Sequence, residues 1–171
     1  MISIVIPYFN DKAVVGNLVE QIGSNVIDEQ YEILIIDGGS DKSSRDTIDE
    51  IAARNPRVRV LDNILRITSC ALNIGIRAAK GEFIILLSAH CAIADNYIRV
   101  LVRECRETGA DVIGAKGYTD TLENSKQAVS IKSVLSDKFG VGNAHYRTDV
   151  KGIMEADTVA YGCYRKGIFD E

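Results

Sequence analysis

The stretch "EFIILLSAHC", residues 82–91, joins a short apolar run to an abrupt change into small and polar side chains. Short apolar runs rich in β-branched residues are typical of strands that are buried on both faces of a parallel sheet. In open α/β sheets, ligands bind just beyond the carboxyl ends of such strands. Ser88 and His90 therefore stand where a ligand is expected.

Similar runs occur at residues 2–7, "ISIVIP", and 31–37, "YEILIID", and weaker strand patterns occur at 57–62 and 111–116. Amphipathic helical patterns separate these strands. Their apolar faces are marked by Val14 to Ile22, Ile48 to Ala52, Leu72 to Ala79 and Ile98 to Cys105. The alternation of strand and helix predicts an α/β fold, a mainly parallel twisted sheet with helices on both faces and right-handed crossovers.

The pattern changes after Lys116. A helix is predicted within "NSKQAVSIKSVLSDKFG", with Ala128, Ile131 and Leu135 facing inward. A loop is predicted over residues 141–155, and a strand within "ADTVAYGCYRKG". With no repeat and no low-complexity linker, the sequence predicts one domain over residues 1–171.

Composition and charge exclude several classes of protein. The chain of 171 residues has 46% hydrophobic and 26% charged residues, which is ordinary for a globular protein, and its net charge of −4 argues against nucleic-acid binding. Its four cysteines form no C-x-x-C pair, which argues against structural zinc and favours reduced thiols in the cytosol. No run approaches the roughly 20 apolar residues of a membrane span, and the amino terminus lacks the basic segment of a signal peptide.

The two commonest phosphate-binding loops are also missing. "YFNDKAVVG" after the first strand contains no G-x-G-x-x-G, and no G-x-x-x-x-G-K-[ST] occurs in the chain. If the first strand is central, three strand ends, residues 7–10, 37–41 and 88–90, meet at one crevice. The sequence thus predicts a ligand site at this edge of the sheet.

Four segments together resemble the inverting glycosyltransferases of family 2, which have a GT-A fold, and within them the succinoglycan-biosynthesis branch. The segments are "ISIVIPYFND", "YEILIIDGGSDKSS", "ALNIGIRAAKGEFIILLSAH" and "GCYRKGIFDE". The resemblance implies transfer of a sugar from a nucleotide-diphospho-sugar to an acceptor hydroxyl, with Mn²⁺ or Mg²⁺. It also implies lipid-linked, sugar or polysaccharide acceptors, and a cytoplasmic location at the inner face of the cell membrane.

The resemblance assigns the nucleotide to the strand ends. Asp37 matches an acid that binds the nucleobase or ribose, and a carboxylate can accept from their N–H and O–H groups. Gly38 and Gly39 allow close approach of the backbone. The other residues matched to the nucleotide site are Pro7, Tyr8, Asn10, Asn73, Ser88 and Ala89. Arg66, in the loop after the third strand, is a candidate for pairing with a diphosphate, with a solvated surface position as the alternative.

Ser88-Ala89-His90 matches the family's Asp-x-Asp segment, whose last residue binds the metal. The resemblance therefore makes His90 the metal ligand, and an imidazole favours Mn²⁺ over Mg²⁺. Ser88 departs from the branch, which carries "DAH" at this segment. Its hydroxyl can still donate a hydrogen bond, but without charge.

An inverting transfer needs a general base for the acceptor hydroxyl. The resemblance places that base downstream of "GIFDE", so the chain looks truncated at Glu171, and Asp157 is the acidic candidate inside it. Residues 1–116 are then the nucleotide-binding part and 117–171 the start of an acceptor-binding part. Two alternatives remain: a non-catalytic nucleotide-sugar-binding module with the same fold, and an unrelated α/β protein that shares only the sheet.

Overall fold

The computed structural model describes residues 1–26, 28–121, 125–142, 144–148 and 152–170. The chain divides into two units: residues 1–113 together with the segment from Tyr161 onward, and residues 114–160. In the first unit the elements are β1 (Ile2–Tyr8), α1 (Lys12–Asn25), β2 (Tyr31–Asp37), α2 (Lys42–Arg54), β3 (Val58–Asp62), α3 (Thr68–Ala78), β4 (Phe83–Leu86), α4 (Tyr97–Thr108), β5 (Val112–Ile113) and β6 (Cys163–Arg165). The predicted alternation of strands and helices is confirmed.

The sheet has the strand order β3-β2-β1-β4-β6-β5. β1 is parallel to β2 on one side and to β4 on the other, so the condition under which the three strand ends meet is fulfilled. β6 lies between β4 and β5 and is antiparallel to both. The mainly parallel sheet is therefore completed by a strand from the end of the chain, and residues 163–165 belong structurally with the first unit.

The core explains the apolar runs. All seven residues of β2 are buried, because helices cover both faces of the sheet. On one face α3 packs against β1 and β2, and Gly75 lies directly over Val5. α4 buries Ile98, Leu101, Val102 and Cys105, the face that the sequence predicts, and ends at Gly109 in the left-handed conformation.

A buried polar cluster lies at the amino-terminal end of β1 and β2, away from their carboxyl ends. Glu32 Oε1 accepts hydrogen bonds from the Ser3 hydroxyl at 2.8 Å and from the Lys80 backbone N–H at 2.7 Å. Glu32 Oε2 accepts from Arg59 at 2.9 Å, and Ser3 Oγ accepts from the Gly81 N–H at 2.8 Å. The cluster therefore joins the turn between α3 and β4 to the first two strands.

The second unit contains α5 (Lys126–Ser136), α6 (Lys138–Val141) and a 3₁₀ turn at His145–Arg147. The predicted helix is confirmed, but the inward direction of Ile131 is wrong, since this residue is 58% exposed. Ala128 and Leu135 are half-buried. α5 packs against the short α6, and its apolar residues Val129, Ile131 and Val134 are exposed.

The strand predicted within residues 156–167 forms only at Cys163–Arg165. Tyr161 has a φ of 51°, which extended strand backbone does not adopt, so the ladder cannot begin before it. Within the described residues, no helix is both long and apolar enough to cross a membrane.

Candidate functional site

The carboxyl ends of β1 and β2 lie side by side. Tyr8 and Asp37 are partners in the parallel register, and the Gly38 N–H donates to the Tyr8 carbonyl at 2.8 Å. On the other side of β1, the Leu87 N–H donates to the Val5 carbonyl at 3.0 Å. The three strand ends that the sequence singles out therefore share one edge of the sheet, as predicted.

Asp37 is held in one orientation at this edge. Its side chain is 4% exposed. Oδ1 accepts from the Ser40 N–H at 3.0 Å and from the Ser40 hydroxyl at 2.6 Å, while Oδ2 accepts from Arg45 Nη1 at 3.3 Å. A buried charge needs such partners to be tolerated. The arrangement fixes an acceptor-only group at the end of β2.

Asn10 joins the β1 and β2 ends. Its backbone N–H donates to Ser40 Oγ at 3.0 Å, and its side-chain Oδ1 accepts from the Asp41 N–H at 2.9 Å. Asn10 has a φ of 57°, a conformation that asparagine adopts more readily than most residues. Asn10 is thus brought to the predicted site, where its observed contacts shape the edge.

The two aromatic residues at the end of β1 face different environments. Tyr8 is 2% exposed, its hydroxyl donates to the Ser44 carbonyl at 3.1 Å, and burial raises the pKa of this phenol. Phe9 is 55% exposed. Phe9 follows the last residue of β1 and presents an exposed ring, whereas the Tyr8 ring lies in the core. Pro7, the remaining predicted residue of this strand, is half-buried.

Arg66 crosses the turn that follows β2. A Cβ atom at Gly39, where φ is 81°, would lie 2.9 Å from Arg66 Nε and 3.2 Å from Nη2. The missing side chain at Gly39 therefore leaves room for the guanidinium, which brings a cation to the ligand edge. The sequence predicts that Gly39 allows close approach of the backbone to a ligand. In the structure, the absence of a side chain at Gly39 also makes room for Arg66.

Asn63, which the sequence analysis missed, shapes the loop that carries Arg66. Its N–H donates to the Asp37 carbonyl at 2.8 Å, its Nδ2 donates to the Ile67 carbonyl at 3.0 Å, and its carbonyl accepts from the Arg66 N–H at 3.1 Å. Asn63 is 3% exposed, and its Oδ1 is buried with no hydrogen-bond partner within the described residues. An unpaired buried acceptor is unusual in a protein interior.

At the end of β4, Ser88 is half-buried, Ala89 is 1% exposed and His90 is exposed. His90 Nδ1 lies 3.4 Å from Asp11 Oδ2, although the residues are 79 positions apart. This nitrogen and oxygen pair fits a transition-metal cation such as Mn²⁺. No group of three or more His, Cys, Asp or Glu residues surrounds a common point in the part of the chain that is described, so such a cation would need further ligands from a nucleotide or water.

Two predicted residues are not joined to these strand ends by the structure. Asn73 lies on the exposed side of α3. Asp157 is exposed and belongs to the unit of residues 114–160. Their assigned roles stay predictions.

The second unit has a cavity of about 830 Å³. Basic side chains outnumber acidic ones in its lining, and the Lys132 ammonium is 2.7 Å from Asp120 while Arg147 Nη1 donates to Thr119 Oγ1 at 2.9 Å. The charged and hydroxyl residues in the lining are Lys116, Tyr118, Thr119, Asp120, Lys132, Ser136, Asp137, Lys138, Arg147 and Thr148. The excess of cations suits an anionic group.

Comparison with known proteins identifies a family that matches this chain. The sequence profile described as "Glycosyl transferase family 2" matches residues 3–164. The chain is 30% identical over 151 residues to the succinoglycan biosynthesis protein ExoA of Rhizobium meliloti, covering 87% of this chain and 45% of that protein. It is 31% identical to an undecaprenyl-phosphate 4-deoxy-4-formamido-L-arabinose transferase of Aeromonas hydrophila, covering 99% of this chain and 50% of that protein.

The fold has solved counterparts. Residues 1–349 of S. aureus TarS in complex with UDP superpose with a TM-score of 0.69 at 14% identity, covering 99% of this chain and 48% of that one. This likeness supports the GT-A type of α/β fold. The chain spans about half the length of the curated relatives it matches.

Proposed function

This chain belongs to glycosyl transferase family 2, and from that membership we propose that it binds a nucleotide-diphospho-sugar and transfers the sugar, with inversion, to an acceptor hydroxyl in glycan biosynthesis. The observation that carries the proposal is the fixed Asp37 carboxylate at the joined ends of β1 and β2, with the Arg66 guanidinium across the adjacent turn. One group accepts from a nucleobase or ribose, and the other is a cation for phosphate.

In the proposed complex, the nucleoside lies between the β1 and β2 ends. Asp37 accepts a hydrogen bond from it, Phe9 offers an exposed ring for contact, and Gly38 lets the backbone approach. Ser88 donates its hydroxyl to the ribose or a phosphate. The diphosphate extends toward Asp11 and His90, with Arg66 offsetting its charge.

Asp11 and His90 are the residues proposed to hold a divalent cation, with Mn²⁺ favoured over Mg²⁺ because one donor is an imidazole nitrogen. When bound, the cation supplies electrostatic stabilisation of the leaving diphosphate. The contribution of this chain is to place one nitrogen and one oxygen donor beside the β4 end.

For the acceptor, we propose the unit of residues 114–160. Its cation-rich cavity suits the phosphate of a lipid-linked acceptor, and the Aeromonas hydrophila relative is an undecaprenyl-phosphate transferase. Such an acceptor would bring the protein to the inner face of the cell membrane. Asp157 is the proposed candidate inside the chain for accepting the proton of the acceptor hydroxyl.

The test combines binding with turnover. Isothermal titration with UDP, GDP, ADP and CDP, each with and without Mn²⁺, should show tight binding of one of them. A nucleotide-sugar carrying the preferred base should then release its nucleoside diphosphate when an undecaprenyl-phosphate-linked acceptor is added. If no nucleoside diphosphate bound, the proposal would be wrong. Binding without turnover would support the donor site and would contradict the proposed transfer by residues 1–171.

A further inference from the structure

We propose that Arg45 is a positioning residue for nucleotide recognition: it fixes the Asp37 carboxylate so that one acceptor position faces the nucleotide. This inference rests on the proposed donor site and names a residue on α2 whose guanidinium donates a hydrogen bond to Asp37.

The Arg45 guanidinium is held from three sides. Nη1 donates to Asp37 Oδ2 at 3.3 Å and to Asp62 Oδ1, and Nε donates to both oxygens of Asp49, at 3.1 and 3.0 Å. The hydrogen bonds that Arg45 donates to Asp62 and Asp49 hold its pKa well above the ordinary value. The guanidinium is therefore permanently charged and has little freedom to turn away.

The pairing of β2 with β3 explains why a cation is needed at this position. Asp37 and Asp62 are register partners on adjacent parallel strands, so two carboxylates project from neighbouring positions at one edge. Asp37 is 4% exposed, and water screens its charge poorly. A cation between the two acids offsets their repulsion and keeps Asp37 stable as a buried anion.

The same contacts decide what Asp37 can recognise. A carboxylate has about four acceptor positions. Ser40 occupies two of them on Oδ1 through its N–H and hydroxyl, and Arg45 occupies one on Oδ2. One position on Oδ2 is left, and it can accept from a single N–H or O–H group. The ligand class is therefore a nucleoside that presents one donor here, such as a base with a ring N–H.

The test is a double-mutant cycle with UDP and GDP as probes, because both bases carry a ring N–H. Isothermal titration is performed on the wild-type chain, Arg45→Gln, Asp37→Asn and the double variant, at a temperature where circular dichroism shows each to be folded. Arg45→Lys is included because it keeps the charge without the planar fork. Arg54→Gln is the matched control, since it removes an ion pair with Glu50 from the same helix.

We expect Arg45→Gln to weaken binding of the better nucleotide about tenfold, equivalent to about 1.4 kcal/mol. Arg45→Lys should recover part of this loss, and Arg54→Gln should bind like wild type. In the Asp37→Asn background, Arg45→Gln should cause no further loss, because its effect passes through Asp37.

Three results would overturn the inference. A full further loss in the Asp37→Asn background would mean that Arg45 contacts the nucleotide itself. Unchanged affinity in Arg45→Gln, even with a lower melting temperature, would mean that Arg45 only stabilises the fold. If the wild-type chain bound neither nucleotide, the inference would fail, and the donor site would fail with it only if ADP and CDP did not bind either; the first two results leave the donor site standing.

Discussion

Asp37 and Asp62 are partners in the register of β2 and β3, yet their side chains are 4% and 68% exposed. Both contact Arg45 through the same nitrogen. This difference in burial gives the two acids different environments. Asp37 has a fixed orientation beside the turn after β2, while Asp62 is solvated. The register therefore supplies a matched pair of carboxylates for testing the site.

Asp37→Asn should weaken nucleoside diphosphate binding by about 1.5–3 kcal/mol, because a charged hydrogen bond to the nucleoside is lost. Asp62→Asn should cost less than Asp37→Asn, because it removes one contact of Arg45 but leaves the Asp37 carboxylate in place. Isothermal titration of both variants measures the contrast. Unchanged binding in Asp37→Asn would remove Asp37 from the nucleotide site.

The Asp11 and His90 pair predicts a specific metal effect. His90→Ala and Asp11→Asn should each abolish the enhancement of nucleotide binding by Mn²⁺, because each removes one of two protein donors. Ser88→Ala should cost only about 0.5–1.5 kcal/mol, the value of a neutral hydrogen bond, and should keep the enhancement. Titrations with and without Mn²⁺ decide this, and an unchanged enhancement in His90→Ala would contradict the metal site.

Glu32 should make the fold sensitive to acid. Burial alone would raise its pKa, but hydrogen bonds from the Lys80 N–H, the Ser3 hydroxyl and Arg59 together hold the pKa below its ordinary 4.5. A folded-state pKa below the unfolded-state value means that this stabilisation is complete at neutral pH and is lost as the pH falls below 4.5.

Glu32→Gln should therefore reduce the free energy of unfolding by about 1–3 kcal/mol at neutral pH and by less in acid. Urea unfolding at several pH values measures this. Glu50→Gln, on exposed α2, is the control and should follow the wild-type pH dependence. A pH-independent loss in Glu32→Gln would show that ionisation of Glu32 is not the cause.

Two helical glycines should respond oppositely to alanine. At Gly75 an added Cβ would overlap Val5 Cγ1 and lie 3.0 Å from its Cγ2, so Gly75→Ala should destabilise the fold by about 1–3 kcal/mol. At Gly16 nothing lies within 4 Å of the added Cβ, so Gly16→Ala should stabilise by about 0.5–1 kcal/mol. Thermal unfolding of both variants tests this, and the same sign for both would contradict the packing of α3 on β1.

Local patterns were enough to predict much of the fold. Buried parallel strands must be apolar on both faces, so the runs at β1, β2 and β4 are visible without the structure, as is the buried face of α4. Parallel strands separated by helices also place their carboxyl ends at one edge. This is why the Asp37 and Ser88–His90 segments could be assigned to one crevice from their order alone.

Contacts between distant residues were decided by tertiary structure. Three contacts join residues whose separation along the chain follows no repeating pattern. They are the approach of Asp11 to His90, the contacts of Arg45 with Asp37 and Asp62, and the packing of Arg66 over Gly39. The insertion of β6 between β4 and β5 is of the same kind, because three residues are too few to show which neighbours they pair with.

The sequence by itself determined the order of strands and helices along the chain and the residue types at the ligand edge, since hydrophobic periodicity reflects local burial. Tertiary structure alone decided that β1 lies between β2 and β4, that the Tyr8 ring is buried while Phe9 is exposed, that Ile131 is exposed, and that Arg45 contacts Asp37. These features depend on which surfaces meet after folding, and a side chain's partner is set by three-dimensional packing that no single stretch of sequence encodes.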